Sequence, residues 1–146
     1  MFDILKHAHS GWRWIVLGLL IYAIFNAFTK WQSGSSFEEK DRKLNLFTMV
    51  STHIQFLFGL ALYFMSPRVQ FGPETMKISE IRFFTVEHFV MMFIAVALIS
   101  VGNAMSKKAT EDAAKFKKTF TFFLIGLIVI LVSIPWPFRG FGNGWF

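Results

Sequence analysis

The 146-residue chain contains no cysteine. That absence removes thiolate metal sites, iron–sulfur ligation, disulfides and a cysteine nucleophile together. Any metal chemistry therefore falls to histidine, carboxylate or methionine. Charge is scarce as well: charged residues make up 16% of the chain and only 9 of them are acidic. With a mean hydropathy of +0.49, this balance excludes a disordered chain and a nucleic-acid module. What fills the sequence instead is apolar: 54% of residues are hydrophobic, and Phe alone occurs 20 times. Phenylalanine carries no polar group that would need a partner in lipid.

The few charges lie between apolar runs. Residues 14–29, 44–67 and 119–138 hold no Asp, Glu, Lys or Arg, and residues 83–106 hold only Glu87. An α-helix needs ~20 apolar residues to cross a hydrocarbon core of ~30 Å. The pattern predicts an all-α, four-transmembrane-helix bundle forming one integral membrane domain over residues 1–146. Its spans fall at approximately 10–30, 44–66, 82–104 and 118–136. Asp3 and Lys6 ahead of a long apolar stretch argue for a first span rather than a cleaved signal peptide. Gln32 to Ser36 read as a flexible break, Glu38 to Lys43 as a wet first turn of the second helix, and Ser66-Pro67 with Gly72-Pro73 as its end. Trp136, Phe138, Phe141, Trp145 and Phe146 form an expected interfacial aromatic belt.

The net charge of +6 is a topological label rather than a polyanion-binding surface. Nine of the 15 cations lie in two linkers, at Lys30, Lys40, Arg42 and Lys43 and at Lys107, Lys108, Lys115, Lys117 and Lys118. These mark the cytoplasmic side and put both termini outside.

Polar residues at membrane depth carry the functional information, because each costs free energy unless it is paired or faces a cavity. There are four histidines: His7, His9, His53 and His88. At ~1.5 Å per residue, His53 lies roughly 15 Å from Lys43, His88 about 9 Å below Arg82, and His9 roughly 31 Å from Lys30 at the outer surface. His53 and His88 are thus the expected internal pair, with His9 and His88 the next choice. On the third helix His88 shares a face with Phe84, Thr85, Met92, Ala95, Ile99 and Gly102. On the second, a small and polar stripe runs through Thr48, Ser51, Thr52, Gln55 and Gly59, while His53 points about 160° from Gln55 on a bulky face with Val50, Leu57, Leu60 and Phe64. Near the first turn His9 and Arg13 share a face, and His7 lies on another with Gly11, Trp14 and Gly18, small residues expected to allow close approach.

Three readings of the histidines compete. They are neutral groups hydrogen-bonded across helices, or a metal-free proton relay. They are axial ligands of a haem b, whose iron accepts neutral imidazole from opposite faces. Or they bind copper together with Met49, Met91 or Met92. On the haem reading the metal ligands are His53 and His88, with His9 or His7 as alternatives. Arg13, Arg82 and Arg139 would neutralise propionates, and His7, His9 or Glu87 would accept protons from a quinol. The same rim residues also read simply as solvated ion pairs.

The blocks His7-Ala8-His9-Ser10-Gly11-Trp12-Arg13-Trp14, His53-Ile54-Gln55, Glu87-His88 and Pro135-Trp136-Pro137-Phe138-Arg139 resemble those of small four-helix bacterial membrane proteins catalogued as cytochrome b-like. The resemblance implies a haem-bearing bundle of the bacterial inner (cytoplasmic) membrane, with His53 and His88 as the ligand positions. No helix offers two histidines at different depths, so the paired ligands of a two-haem cytochrome are missing. The resulting expectation is a b-type cytochrome that exchanges electrons with the quinone pool and a membrane protein partner, or forms a homo-oligomer. Its short loops leave room for at most a redox half-reaction completed by another subunit. The alternative is a cofactor-free accessory or assembly subunit of a larger respiratory or transport complex.

Overall fold

The computed structural model describes residues 1–145, so Phe146 of the expected belt lies outside the described residues. Four long helices build it: α1 (Phe2–Gln32), α2 (Glu39–Met65), α3 (Ser79–Lys108) and α4 (Asp112–Ser133). Each is long and apolar enough to cross a membrane, which makes the chain a multi-pass membrane protein. The helices overrun the expected spans at most ends, because the hydrogen-bonded ladder continues past the apolar run into charged turns; α1, for example, begins at Phe2 rather than near residue 10. Helix α4 stops at Ser133 because Pro135 forces the residue before it, Ile134, into an extended conformation. Gly34, at φ +65°, turns the chain out of α1.

The helices alternate in direction and close into a ring in which α1 packs on α2 and α4, and α3 packs on α4 and α2. Both termini and the α2–α3 loop therefore lie at one end, here the terminal end, and the two lysine-rich linkers at the other, the basic end. The apolar core comes from three helices: Val16, Leu17, Leu20, Ala23 and Ile24 of α1, Ala95 and Ile99 of α3, and Phe123, Leu127 and Ile130 of α4. Gly126 lets α4 approach α3 so closely that an added Cβ would lie 3.0 Å from Ile99 Cγ1. Bulky side chains such as Phe25, Phe47, Leu57, Phe64, Phe93 and Val132 point outward, as expected where the surrounding solvent is lipid.

Helix α2 docks differently. Its buried residues are all polar: Asp41, Asn45, Thr48 and Thr52. The expected wet first turn is exposed at Glu38, Glu39, Lys40, Arg42 and Lys43, with Asp41 alone buried at 2% exposure. Its carboxylate accepts hydrogen bonds from Lys30 Nζ, Asn26 Nδ2 and the Glu38 backbone N–H at 2.8, 2.8 and 2.9 Å, so it both caps α2 and ties it to α1. Further along, Asn45 Nδ2 donates to Thr119 Oγ1 at 2.8 Å, and that hydroxyl donates to Ser106 Oγ at 3.2 Å. Asn103 Nδ2 reaches Met49 Sδ at 3.5 Å. At the basic end these polar side chains have partners, the usual arrangement for interhelical bonds in lipid.

Candidate functional site

At the terminal end the helices diverge around a cavity of about 260 Å³, lined by all four helices and by the C-terminal segment. Two histidines meet there. His9 of α1 and His88 of α3 come from helices on opposite sides of the ring, with ring centroids 6.4 Å apart and planes inclined at 82°. His53 does not line this cavity.

The structure thus brings His9, rather than the expected His53, to His88. The expected depths measured His88 from Arg82 but His9 from Lys30; counted from the basic end on both helices, His88 lies 20 residues from Lys108 and His9 21 from Lys30, about 30 Å up in each case. At 31 residues, α1 also spans about 46 Å, well beyond a ~30 Å hydrocarbon core. His53 points along the bulky outer face of α2. There its Nε2–H donates across the α2–α3 seam to Ser100 Oγ at 2.8 Å, the hydroxyl being committed as donor to the Val96 carbonyl. That is the hydrogen-bonded alternative foreseen for a buried histidine.

His88 is oriented by the end of α4. Its Nδ1 lies 2.8 Å from the Ser133 carbonyl oxygen, one of the last-turn carbonyls that the helix leaves without an internal partner. A carbonyl only accepts, so Nδ1 carries the hydrogen and Nε2 keeps its lone pair. A histidine fixed by such a Nδ1–H bond is the usual form of a metal-binding imidazole. Just ahead of it, residues Phe83–Glu87 form a π-helical turn, a feature frequent at functional sites. Tyr63 OH donates to the Thr85 carbonyl of this turn at 2.8 Å, and Thr85 Oγ1 accepts from the Gln70 N–H at 3.0 Å. The α2 end of the bundle thereby holds the segment that presents His88.

His9 is held by Gln55, whose amide nitrogen donates to the His9 carbonyl at 2.8 Å and lies 3.4 Å from His9 Nε2. Gly59 leaves room for the ring: a Cβ there would lie 3.1 Å from His9 Cε1, closer than ordinary contact. The expected close approach at Gly11 and Gly18 does not occur, since nothing lies within 4 Å of a Cβ built at either. The α2 stripe foresaw the neighbourhood of Gln55 and Gly59 without assigning it to His9.

The other expected site residues divide. Arg13 lines the cavity. Arg82 pairs with Glu87 at 2.7 Å on the surface, and Arg139 donates to the Val132 carbonyl at 2.9 Å while lying over the Phe83 ring. His7 is exposed. None of these four lines the cavity, so Arg82 and Arg139 are spent on structure, and His7 and Glu87 sit outside the pocket. Of the candidate copper ligands, Met92 alone is at the cavity, while Met49 belongs to the basic-end network. Phe141 stacks inward on Phe83 with centroids 4.7 Å apart rather than joining the belt, in which Trp14, Trp136 and Trp145 cluster. Lys6, Arg68 and Asn143, which the sequence did not single out, line the cavity with Arg13, and no Asp or Glu does.

Four buried side-chain polar atoms among the described residues lack a hydrogen-bond partner: His9 Nδ1, Arg13 Nε, Gln55 Oε1 and Asn143 Nδ2. All four belong to cavity-lining residues. Buried polar groups are normally satisfied, so this concentration marks a space shaped for an occupant with polar edges. Among the described residues no group of three or more His, Asp or Glu side chains could hold a bare metal ion. Two imidazoles alone suit an iron whose remaining positions are filled by a macrocycle. Imidazoles sharing one metal through bonds of ~2.0 Å place their centroids about 6 Å apart, close to the observed 6.4 Å. No protein-family model, curated protein or solved structure matches the chain.

Proposed function

We propose that this chain is a small b-type cytochrome in which His9 and His88 hold a haem b at the terminal end of the bundle. The observation that carries the reading is the approach of these two imidazoles from opposite helices to 6.4 Å, inside a mostly apolar cavity. Attachment is non-covalent, since the chain has no cysteine for a thioether link. The bound haem supplies one-electron transfer. The chain's own part is to orient the imidazole of His88 through Ser133, to seat that of His9 against Gly59 and Gln55, and to shield both with apolar walls. Electrons pass between the quinone pool and a larger membrane partner or a second copy, in a bacterial inner membrane with both termini outside.

Purified protein from haem-replete cells is expected to show a Soret band and split visible bands on dithionite reduction. His9→Ala and His88→Ala should each abolish them, whereas His53→Ala should keep them. A colourless protein refutes the proposal and returns the chain to the cofactor-free accessory class; loss of the bands in His53→Ala alone refutes the choice of ligands.

The cavity's volume favours a second reading. About 260 Å³ is near the small end of pockets for organic ligands, roughly 300–1,000 Å³, and suits a quinone head group seated beside His9 and His88. In that case the protein is colourless and carries extractable quinone, which is lost on His9→Ala.

A further inference from the structure

The cavity has a charged side that haem ligation does not use. Lys6 and Arg13 of α1 are seven residues apart, two helical turns, and so share one face of the helix. Both line the cavity. From the other side come Arg68 of the α2–α3 loop and Asn143 of the C-terminal segment, joined by a 2.8 Å hydrogen bond from Arg68 Nη1 to Asn143 Oδ1. Each pair contains a buried donor with nothing to donate to, Arg13 Nε in one and Asn143 Nδ2 in the other. The cavity contributes no carboxylate of its own. Arg68 has an external counterion, Glu80, at 3.3 Å. Among the described residues Arg13 meets neutral groups: its Nη2 donates to the Trp145 carbonyl at 2.6 Å, and its guanidinium lies over the Trp14 and Trp136 rings. An arginine in a membrane-spanning helix is costly while a buried donor of its guanidinium stays unsatisfied, as Arg13 Nε does. Its retention at a cavity wall is explained when the occupant brings the negative charge. Apolar lining is supplied by Val16, Met92, Ala95 and Ile130.

We infer that Lys6 with Arg13, and Arg68 with Asn143, form two carboxylate-binding subsites that select a flat dicarboxylate and hold its acidic edge toward the terminal end of the bundle. The inference rests on the haem reading and adds the occupant's charge and its orientation. Charge-assisted bonds of this kind fix the direction of a planar ligand as well as adding affinity. The two unpartnered donors gain acceptors on binding.

The test uses the full-length chain in nanodiscs, prepared from haem-depleted cells and titrated with iron protoporphyrin IX or with its dimethyl ester, which keeps the ring and removes both charges. The expected result is at least tenfold tighter binding of the free acid, with the gap narrowed in Arg13→Gln and in Asn143→Ala. The gap should be unchanged in Arg82→Gln, whose side chain lies away from the cavity. In a second measurement on the protein as purified with haem, Arg13→Gln should speed haem loss to a scavenging protein at least tenfold. Equal affinity for acid and ester overturns the subsites and leaves the haem reading standing. A gap that survives both Arg13→Gln and Asn143→Ala overturns the assignment of these residues. Failure of either porphyrin to bind overturns the haem reading and the subsites with it.

Discussion

Gly59→Ala separates the fold from the site more cleanly than removing a ligand does. The added methyl would sit 3.1 Å from His9 Cε1 and 3.6 Å from Nδ1, so the ring must retreat by a few tenths of an ångström to restore ordinary contact. Two opposing energies bear on stability. Replacing glycine by alanine inside a helix favours the folded state by up to ~1 kcal/mol, while overpacking costs about 1–3 kcal/mol. The net change is therefore small, roughly 0–2 kcal/mol of destabilisation. Ligand geometry is less forgiving, since a functional constellation must be held within about 0.5 Å. The expected outcome is a folded helical protein with nearly unchanged thermal stability whose haem occupancy falls and whose affinity drops about tenfold, the equivalent of ~1.4 kcal/mol. Gly18→Ala is the matched control: nothing lies near its Cβ, so it should gain up to ~1 kcal/mol and keep full occupancy. If Gly59→Ala and Gly18→Ala bind haem equally well, His9 does not depend on Gly59 for its seat and the site has been built on the wrong contact.

Tyr63→Phe removes the hydroxyl that satisfies the Thr85 carbonyl of the π-helical turn. It should cost about 1 kcal/mol in unfolding and shift the midpoint potential through His88; an unchanged potential would show that the turn holds His88 without help from α2. Asp41→Ala strips the counterion from Lys30 at the basic end and should destabilise the protein by roughly 3 kcal/mol, the lower end for a buried pair because Lys30 is partly exposed, with no change in the reduced spectrum. A spectral change there would couple the two ends of the bundle. Haem removal should raise hydrogen exchange in the terminal half of α2, around Gln55 to Tyr63, more than in α4. Uniform loosening of all four helices would instead make the occupant part of the core.

Much of the architecture was legible because lipid imposes a single requirement, apolar runs of sufficient length, and charged residues interrupt these runs at few places. The α3 face bearing Ala95, Ile99 and Gly102 is buried as its helical spacing predicts. The α2 stripe through Thr48 and Thr52 is buried too. The histidine pairing was less legible because residue counts compare heights only when they start from the same end, and His88 was counted from Arg82 while His9 was counted from Lys30. Phase gave better guidance than height: the reading that set His53 opposite Gln55 already implied that the two serve different neighbours. Ser133 carries no sequence signal at all, since it acts through a backbone carbonyl freed where α4 ends. Asn143 and Arg68 meet only because the chain after α4 folds back, past a left-handed turn at Gly140 and Gly142, onto the α2–α3 loop.

The two ends of the bundle treat polar groups in opposite ways, and this contrast locates function better than any one residue does. At the basic end, Asp41, Asn45, Ser106 and Thr119 are buried and bonded to one another or to neighbouring helices. Such a network gains nothing from a ligand and fixes which helix meets which. At the terminal end, His9, Arg13, Gln55 and Asn143 are brought inward and left with unused atoms, an arrangement that costs stability unless something completes it. The apolar core of α1, α3 and α4 offsets that cost, with α2 adding only the partly buried Leu44 and Met49 to its edge. Helix α2, whose fully buried residues are all polar and which meets the core only through the partly buried Leu44 and Met49, has the least core packing to rearrange when an occupant binds. Core and site thus share α1 and α3 but rest on different forces, apolar burial in one and unfinished hydrogen bonding in the other, so that completing the second need not disturb the first.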